Sequence, residues 1–335
     1  MTSGIVFPPI NSVPQDSHRP FWSVMIPTYN GTKYLEQTLK SVLVQDPGVR
    51  EMQIEVVDDC STKDDPEELV KDIGQGRVSF FRNPQNVGLV NNWNACIRRS
   101  YGRWIHILHQ DDVVLPGFYK KLEHDIAIAC NDDIGAAFCR YVFMDEDGHW
   151  NNLSRLEKRK SGILDNWVQE IAVVQLIQFP SMVVKRNTYE NIGGFYPPVH
   201  FAADWEMWKR IATNYSVLYE PEILACYRQH TGSESSRLIK TGANITDIIM
   251  AIEISKLYLP DTISQEVTMQ AREYYAFDAL NRANTLINQD NFEAAIAQIK
   301  GALKCSHSFN VIKFMLGILR QNKRQLFRLL KTLDS

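Results

Sequence analysis

The chain has little that would mark it for nucleic acid, for a membrane span or for an oxidising compartment. Lysine and arginine total 36 against 39 aspartates and glutamates, a formal net charge of −3. The broad electropositive surface that a phosphate backbone requires is therefore missing, and nucleic acid is not an expected partner. The six cysteines (Cys60, Cys96, Cys130, Cys139, Cys226, Cys305) are scattered and form no CxxC pair, which argues for reduced packing residues. No run is apolar for long enough to span a bilayer. The opening MTSGIVFPPINSVPQDSHRP lacks the basic start and continuous apolar segment of a secretory signal, so the expected compartment is the cytoplasm. No GxGxxG follows the first strand-like run, which removes the fingerprint of a dehydrogenase.

What is present is ordinary globular material, 44% hydrophobic over 335 residues, enough for one large domain and a smaller one. After an irregular stretch, residues 1–20, Ser23 to Ile26 reads as a strand stopped by Pro27. Thr32 to Val44 then places Leu35, Leu39, Val42 and Leu43 on one helical face. Ile54 to Val57 is a second strand, and Asp64 or Asp65 can cap a helix with Pro66 in its first turn. Val78 to Phe81 and Trp104 to Leu108 are further strands. Between them lies a helix with Leu89, Trp93, Cys96 and Ile97 inward, and after Pro116 one with Phe118, Leu122, Ile126 and Ala129 inward. Such alternation predicts an α/β fold with a mostly parallel sheet covered by helices on both faces. Past about Ser236 the pattern turns helical, with Ile245, Ile248, Ile249 and Ile252 in step, then Tyr274, Phe277, Ala279 and Leu280. QDNFEAAIAQIKGALK resembles one helix of a helical hairpin. The expected division is 1–20 irregular, 21–236 α/β, and 237–335 all-helical.

In open α/β sheets ligands gather at the carboxyl ends of the strands. The clusters Thr28-Tyr29-Asn30, Asp58-Asp59 and Asp111-Asp112 each follow a strand, so all three are predicted at one rim. Adjacent carboxylates in a partly dry cleft repel one another unless a hard cation or a hydrogen-bond network offsets the cost. Oxygen donors with open positions suit Mg²⁺ or Mn²⁺ together with substrate phosphates; the plain alternative is a solvated turn.

The stretches SVMIPTYNG, IEVVDDCSTKDD, NVGLVNNWNACI and HQDDVVLPGF, followed by NIGGFYPPVHFAADWEMWKRI and YRQHTGSES, together resemble the family 2 glycosyltransferases in order and spacing, from about Trp22 to Ser236. The resemblance implies the nucleotide-sugar-binding GT-A fold for 21–236. It also implies inverting transfer of a sugar from a nucleotide-diphosphate donor to a glycan or lipid-linked acceptor, as in polysaccharide biosynthesis, with Mn²⁺ or Mg²⁺ as cofactor. Carried over residue by residue, it implies that Pro27, Thr28, Tyr29 and Asn30 border the nucleotide. Asp59 would accept hydrogen bonds from the base and Asp58 would support the loop or the ribose. Asn86, Gly88 and Asn92 would complete the donor site. Asp112 would be the direct metal ligand, with Asp111 nearer the ribose or the metal's waters. Asp204 falls where the family places its catalytic base, and Gly194 and Trp205 fall on the acceptor side. His230 matches a loop histidine that can complete the metal's coordination, with Ser233 in the same loop; a capping or surface histidine is the alternative. UDP is the expected nucleotide, and dTDP would fit the same base contact.

The chain departs from many relatives in two places. His109 stands two residues before the second aspartate pair's start, where an additional aspartate is common. Asn91-Asn92-Trp93-Asn94 stands where an arginine is common, so Lys33, Arg98 or the metal alone would have to offset the diphosphate's charge. Trp93, Trp205 and Trp208 lie on amphipathic faces and suit core packing; Trp205, next to Asp204, also suits a sugar-stacking platform. Gly193-Gly194 reads as a flexible turn, and Asp145 to Gly148 as a solvated hairpin turn. The tail from Val311 to Leu333 sets Lys313, Arg320, Lys323, Arg324, Arg328 and Lys331 among apolar residues. This suits either peripheral contact with an anionic inner membrane face or a packed helix with a solvated basic side. A nucleotidyltransferase and a non-catalytic glycan-binding or scaffold protein are the competing functions.

Overall fold

The structure, a computed structural model, describes residues 5–14 and 18–323. Two compact units result. One holds the described residues up to Val168 with Leu176–Pro198 and Met207–Gln229; the other holds Gln169–Gln175, Val199–Glu206 and the described residues from His230 onward.

The first unit is built on β1 (Trp22–Thr28), α1 (Thr32–Leu43), β2 (Met52–Asp58), α2 (Pro66–Gly74), β3 (Ser79–Arg82), α3 (Leu89–Arg99), β4 (Trp104–Ile107), β5 (Val113–Val114) and α4 (Phe118–Ala129). It continues through β6 (Ile134–Met144), β7 (Trp150–Leu153), β8 (Gly162–Ile163), the start of α5 (Trp167–Val173), β9 (Met182–Lys185), α6 (Arg186–Ile192), α7 (Ala203–Asn214) from Met207 on and β10 (Ser216–Arg228); the rest of α5 and the first turn of α7 belong to the second unit. The sheet runs β3-β2-β1-β4-β9-β6-β10-β5, with β7 on β6 and β8 on β10. It is parallel from β3 to β4 and between β6 and β10, and antiparallel on both sides of β9.

All seven residues of β1 and of β2 are buried, which requires cover on both faces. Trp22, Val24 and Ile26 share one core with Leu35, Leu39 and Val42 of α1, Val70 of α2 and Phe118 and Leu122 of α4. Met25, on the opposite face by the two-residue period, is equally buried, and α3 packs on β1, β2 and β4 with Trp93, Cys96 and Ile97 inward. Cutting one such residue back to alanine, Leu39 for example, removes about 2–5 kcal/mol. Leu89, expected inward, is 37% exposed because the helix begins there; Val90 takes the buried place.

β1 does not stop at Pro27 as expected. The backbone of Met25 accepts from Leu108 N at 3.0 Å and that of Thr28 from Asp59 N at 2.8 Å, so alternate residues face β4 and β2. Pro27 faces β4 just past the end of that ladder, where its missing N–H breaks no bond.

The second unit is helical beyond His230: α8 (Glu234–Thr241), α9 (Ala243–Ser255), α10 (Asp261–Asn288), α11 (Phe292–Cys305) and α12 (Phe309–Gln321). Side-chain caps at Ser233, Asn291 and Ser308 start α8, α11 and α12. α10 and α11 form the expected hairpin, packed together across the short turn at Asp290. Tyr274, expected inward, is 46% exposed, and Tyr275 is the buried tyrosine. At Gly301 a Cβ would come within 2.9 Å of Ile245, so only glycine allows α11 to lie this close to α9. Among the described residues no helix is long and apolar enough to cross a membrane. Of the basic tail, Lys313, Arg320 and Lys323 are described and exposed; Arg324, Arg328 and Lys331 lie outside the described residues.

Candidate active site

The three strand ends do meet at one rim. Thr28 Oγ1 and Tyr29 N both donate to Gln110 Oε1, at 2.6 and 2.9 Å, tying the end of β1 to the turn after β4. A Cβ at Gly31 would fall 2.0 Å from that Gln110 side chain, so any other residue there would have to displace the amide that holds Thr28 and Tyr29. Asn30 takes a positive φ of 49° and its Oδ1 accepts from Thr62 N and Lys63 N, at 2.8 and 2.9 Å. Tyr29 is 44% exposed at this edge, while Thr28 is buried.

At the end of β2 both carboxylates are occupied by the protein itself. Asp58 accepts from Ser61 N, Ser61 Oγ at 2.5 Å and Arg82 Nε at 2.6 Å. Asp59 Oδ1 accepts from Val87 N at 2.8 Å and Asn83 Nδ2 at 3.0 Å, and Oδ2 from Gly88 N at 2.9 Å. Asn86 Nδ2 donates to Asp59 O, and Asn92 joins Asn83 to the backbone of Val57. Gly88 carries a φ of 86° at the start of α3. The expected donor-site residues Asp59, Asn86, Gly88 and Asn92 thus form one network that first of all shapes the loop leading into α3. Asp65 caps α2, and Asp64 Oδ2 instead accepts from Thr32 N and Thr32 Oγ1.

The turn after β4 is different. Asp112 N donates to His109 O at 3.1 Å, closing the turn, and Asp112 Oδ1 accepts from Arg228 N at 2.9 Å. Asp112 is fully buried, yet its Oδ2 has no hydrogen-bond partner among the described residues. Burial, with Asp111 adding repulsion, raises the Asp112 pKa well above the ordinary carboxylate range. One donor atom each from His109, Asp111 and Asp112 lies within 4.8 Å of the other two. A buried carboxylate oxygen without a partner, beside a second carboxylate and an imidazole, is what a divalent cation with open positions requires, and the donors fit one.

Arg228 locks this turn, a role not expected from the sequence. It is 3% exposed; Nε donates to Asp111 O at 2.9 Å, one terminal nitrogen to Asp145 O and Glu146 O, and the other to Gln37 Oε1 at 2.6 Å. Its guanidinium lies 4.4 Å from the centre of the Tyr34 ring. The cations expected to compensate for a missing arginine are elsewhere: Lys33 is exposed and pairs with Glu146 at 3.4 Å, and Arg98 lies about 14 Å along α3 from the rim, at 1.5 Å per residue. Asp145 to Gly148 forms the expected turn between β6 and β7.

His109 stacks on Trp93 (centroids 5.3 Å apart, planes at 19°) and leans on Phe179 (4.3 Å, 36°), in an aromatic cluster with Phe195 and Trp208. Burial pulls its pKa down to about 4, so the ring is neutral. Trp93 and Trp208 are core residues, as their helical faces suggested.

In the second unit, Asp204 stands in the first turn of α7. Its Oδ2 accepts from Gln175 Nε2 at 2.7 Å and its Oδ1 from Trp205 N at 2.6 Å. Burial raises its pKa to about 7, against the lowering effect of these two bonds. Trp205 is 1% exposed, packs on Tyr275 and donates to Ile171 O at 2.6 Å; a buried indole offers no face to a sugar, so the stacking platform is replaced by core packing. His230 carries the turn into α8, its carbonyl accepting from Ser236 Oγ at 3.0 Å, and Ser233 caps that helix. Gly194, in the first unit, is buried: its N donates to Pro8 O at 2.8 Å, and a Cβ there would meet Asn94 Oδ1 at 2.3 Å. That gives the glycine a packing reason in place of the expected acceptor contact.

Residues 23–192 match the model of glycosyl transferase family 2, half of the chain and the whole of the rim just described. The chain belongs to glycosyl transferase family 2. Among relatives of this glycosyltransferase, protein MT1568 of Mycobacterium tuberculosis is 27% identical over 248 residues, 68% of this chain and 73% of that one. The glycosyltransferase MJ1057 of Methanocaldococcus jannaschii is 28% identical over 215 residues, 63% of this chain and 71% of that one. Among solved structures, S. aureus TarS 1–349 in complex with UDP-GlcNAc superposes with a TM-score of 0.58 at 15% identity, over 86% of this chain and 91% of that one. The mannosyltransferase PcManGT of Pyrobaculum calidifontis, in complex with GDP-Man and Mn²⁺, gives 0.57 at 16%, over 97% and 86%. At those identities the likeness establishes the fold: a GT-A-type sheet followed by a helical region.

Proposed function

We propose that this glycosyltransferase is an inverting, metal-dependent enzyme that takes its sugar from a nucleotide-diphosphate donor, a UDP-sugar, and builds a polysaccharide or lipid-linked glycan. The observation that carries the reading is the buried Asp112 oxygen, unpartnered among the described residues, at the carboxyl rim of the sheet. Solved relatives that hold UDP-GlcNAc, or GDP-Man with Mn²⁺, support a nucleotide-sugar donor and a divalent cation. Family membership sets aside the nucleotidyltransferase and the scaffold readings.

In this account Thr28, Tyr29 and Asn30 border the nucleotide, and the remaining acceptor position on Asp59 Oδ2 meets a base N–H. Asp112 and Asp111 hold the cation. A bound Mn²⁺ or Mg²⁺ would supply stabilisation of the charge that builds on the departing diphosphate. The acceptor hydroxyl oxygen attacks the anomeric carbon, the bond to the diphosphate breaks with its electrons leaving on the nucleotide, and the hydroxyl proton passes to the Asp204 carboxylate. A carboxylate held near pKa 7 is a stronger base than a solvated one and is still about half ionised at neutral pH. The assignment of Asp204 rests on its family motif and on its own surroundings.

A thermal-shift screen of UDP-, dTDP- and GDP-sugars with and without Mn²⁺ tests the reading, because a ligand that binds only the folded chain raises its melting temperature. A Mn²⁺-dependent rise with a UDP-sugar is expected; no rise with any of the three nucleotides would contradict it.

A further inference from the structure

Two histidines three residues apart in IHILHQDD share a setting and differ in one respect. His106 is fully buried and stacks on Phe118 at 4.7 Å, and both of its ring nitrogens are used: Nδ1 bonds Tyr119 Oη at 3.0 Å and Nε2 bonds Pro180 O at 3.1 Å. It is a satisfied structural histidine. His109 is likewise clasped by aromatic rings, which fix the plane of its imidazole, yet its buried Nε2 has no hydrogen-bond partner among the described residues. A buried polar atom left in that state is unfavourable, and neither of the rings that clasp it, Trp93 and Phe179, hydrogen-bonds it. The same ring contributes a donor atom to the cluster with Asp111 and with Asp112, whose Oδ2 likewise has no partner among the described residues. Ligands about 2.1 Å from a six-coordinate cation lie roughly 3 to 4.2 Å apart, a spacing inside the 4.8 Å that bounds this cluster.

We propose that His109 is a nitrogen ligand of the divalent-metal site and biases that site toward Mn²⁺ over Mg²⁺. The proposal rests on the reading of Asp112 as a metal ligand and deepens it. Mg²⁺ favours an all-oxygen shell and dehydrates reluctantly, whereas imidazole nitrogen is a good donor to transition metals. What distinguished this chain as a missing acid is then a substituted ligand, and the substitution selects the ion.

Pulsed electron paramagnetic resonance of the full chain with Mn²⁺ alone reads the coordination directly, since a bound imidazole couples its ¹⁴N nucleus to the manganese spin. The wild type should show ¹⁴N modulation. The modulation should vanish in His109→Asp, which still binds Mn²⁺, and persist in His230→Ala. By calorimetry the ratio of Mn²⁺ to Mg²⁺ affinity should fall on the order of tenfold in His109→Asp. If that variant does not fold, His109→Asn keeps a neutral group of similar reach and should also lose the modulation. Manganese that binds through Asp112 with no ¹⁴N coupling, or coupling unchanged in both His109 variants, would overturn the proposal alone. Manganese binding unaffected by Asp112→Asn would overturn the metal reading beneath it.

Discussion

The end of β2 and the turn after β4 carry the same two letters, Asp-Asp, in opposite situations. At β2, Asp58 and Asp59 accept from backbone amides, a serine, an asparagine and an arginine, and their charge organises the loops around them. After β4, Asp112 receives a single backbone N–H on one oxygen, while the other is buried without a partner among the described residues. Paired carboxylates in a sequence therefore say little until their donors are counted. The saturated pair is architecture first, whereas the buried Oδ2 of Asp112, unpartnered among the described residues, is the atom proposed to take a cation. Asp204 stands between the two, with two donors and a pKa raised to about 7.

The largest expected effect is on Asp204. Asp204→Asn removes the proton acceptor while keeping a carbonyl for the Trp205 amide, and should lower turnover by about 10²–10⁴-fold with donor affinity nearly unchanged. In the wild type kcat/KM should rise with pH through about 7, as the base ionises. Stability should move the opposite way. A carboxylate whose folded pKa is raised keeps its proton after the unfolded chain has lost it, so stability falls as pH rises from the ordinary value of 3.8 to about 7. The melting temperature of Asp204→Asn relative to wild type should accordingly climb over that range and level off above it. Full turnover in the variant would reject the base assignment.

Next in size is the saturated pair. Asp59→Asn sets an amide where the Val87 and Gly88 N–H groups need an acceptor, and should cost about 2–3 kcal/mol in denaturant unfolding. An unchanged midpoint would erase the contrast between the two strand ends. A smaller effect is expected at Arg228. Arg228→Gln leaves the backbone N–H on Asp112 but frees the Asp111 carbonyl and the β6–β7 turn. Mn²⁺ affinity should fall on the order of tenfold, about 1.4 kcal/mol, with the far-ultraviolet circular dichroism spectrum preserved. Affinity equal to wild type would make Arg228 a packing residue only.

Much of this was legible in the sequence because the signals are local. The two-residue and 3.6-residue periods gave the elements from β1 to α4, the short β5 excepted, within a few positions, and strand ends rich in Asp, Asn and Thr located the rim. What was not legible depends on long-range pairing. β10 runs through Pro221 and two glutamates and pairs with β6 only through shifts of register, so it has no local pattern to read. Arg228 sits in the conspicuous YRQH, yet its partners Gln37 and Asp112 lie 191 and 116 residues away. The burial of Trp205 and Gly194 likewise depends on Tyr275, Ile171, Asn94 and Pro8, which no spacing announces. His109 showed as a departure from a pattern, but its stacking on Trp93 and its place beside Asp112 needed the fold.

The central claim is that the Asp112 carboxylate, through an Oδ2 unpartnered among the described residues, holds the cation on which donor binding depends. Calorimetry of UDP with and without Mn²⁺, on the wild type and on Asp112→Asn, tests it most directly, since asparagine keeps an acceptor for the Arg228 N–H and removes only the charge. Mn²⁺ should tighten UDP binding at least on the order of tenfold in the wild type and leave it unchanged in the variant. The same Mn²⁺ enhancement in both proteins would contradict the account.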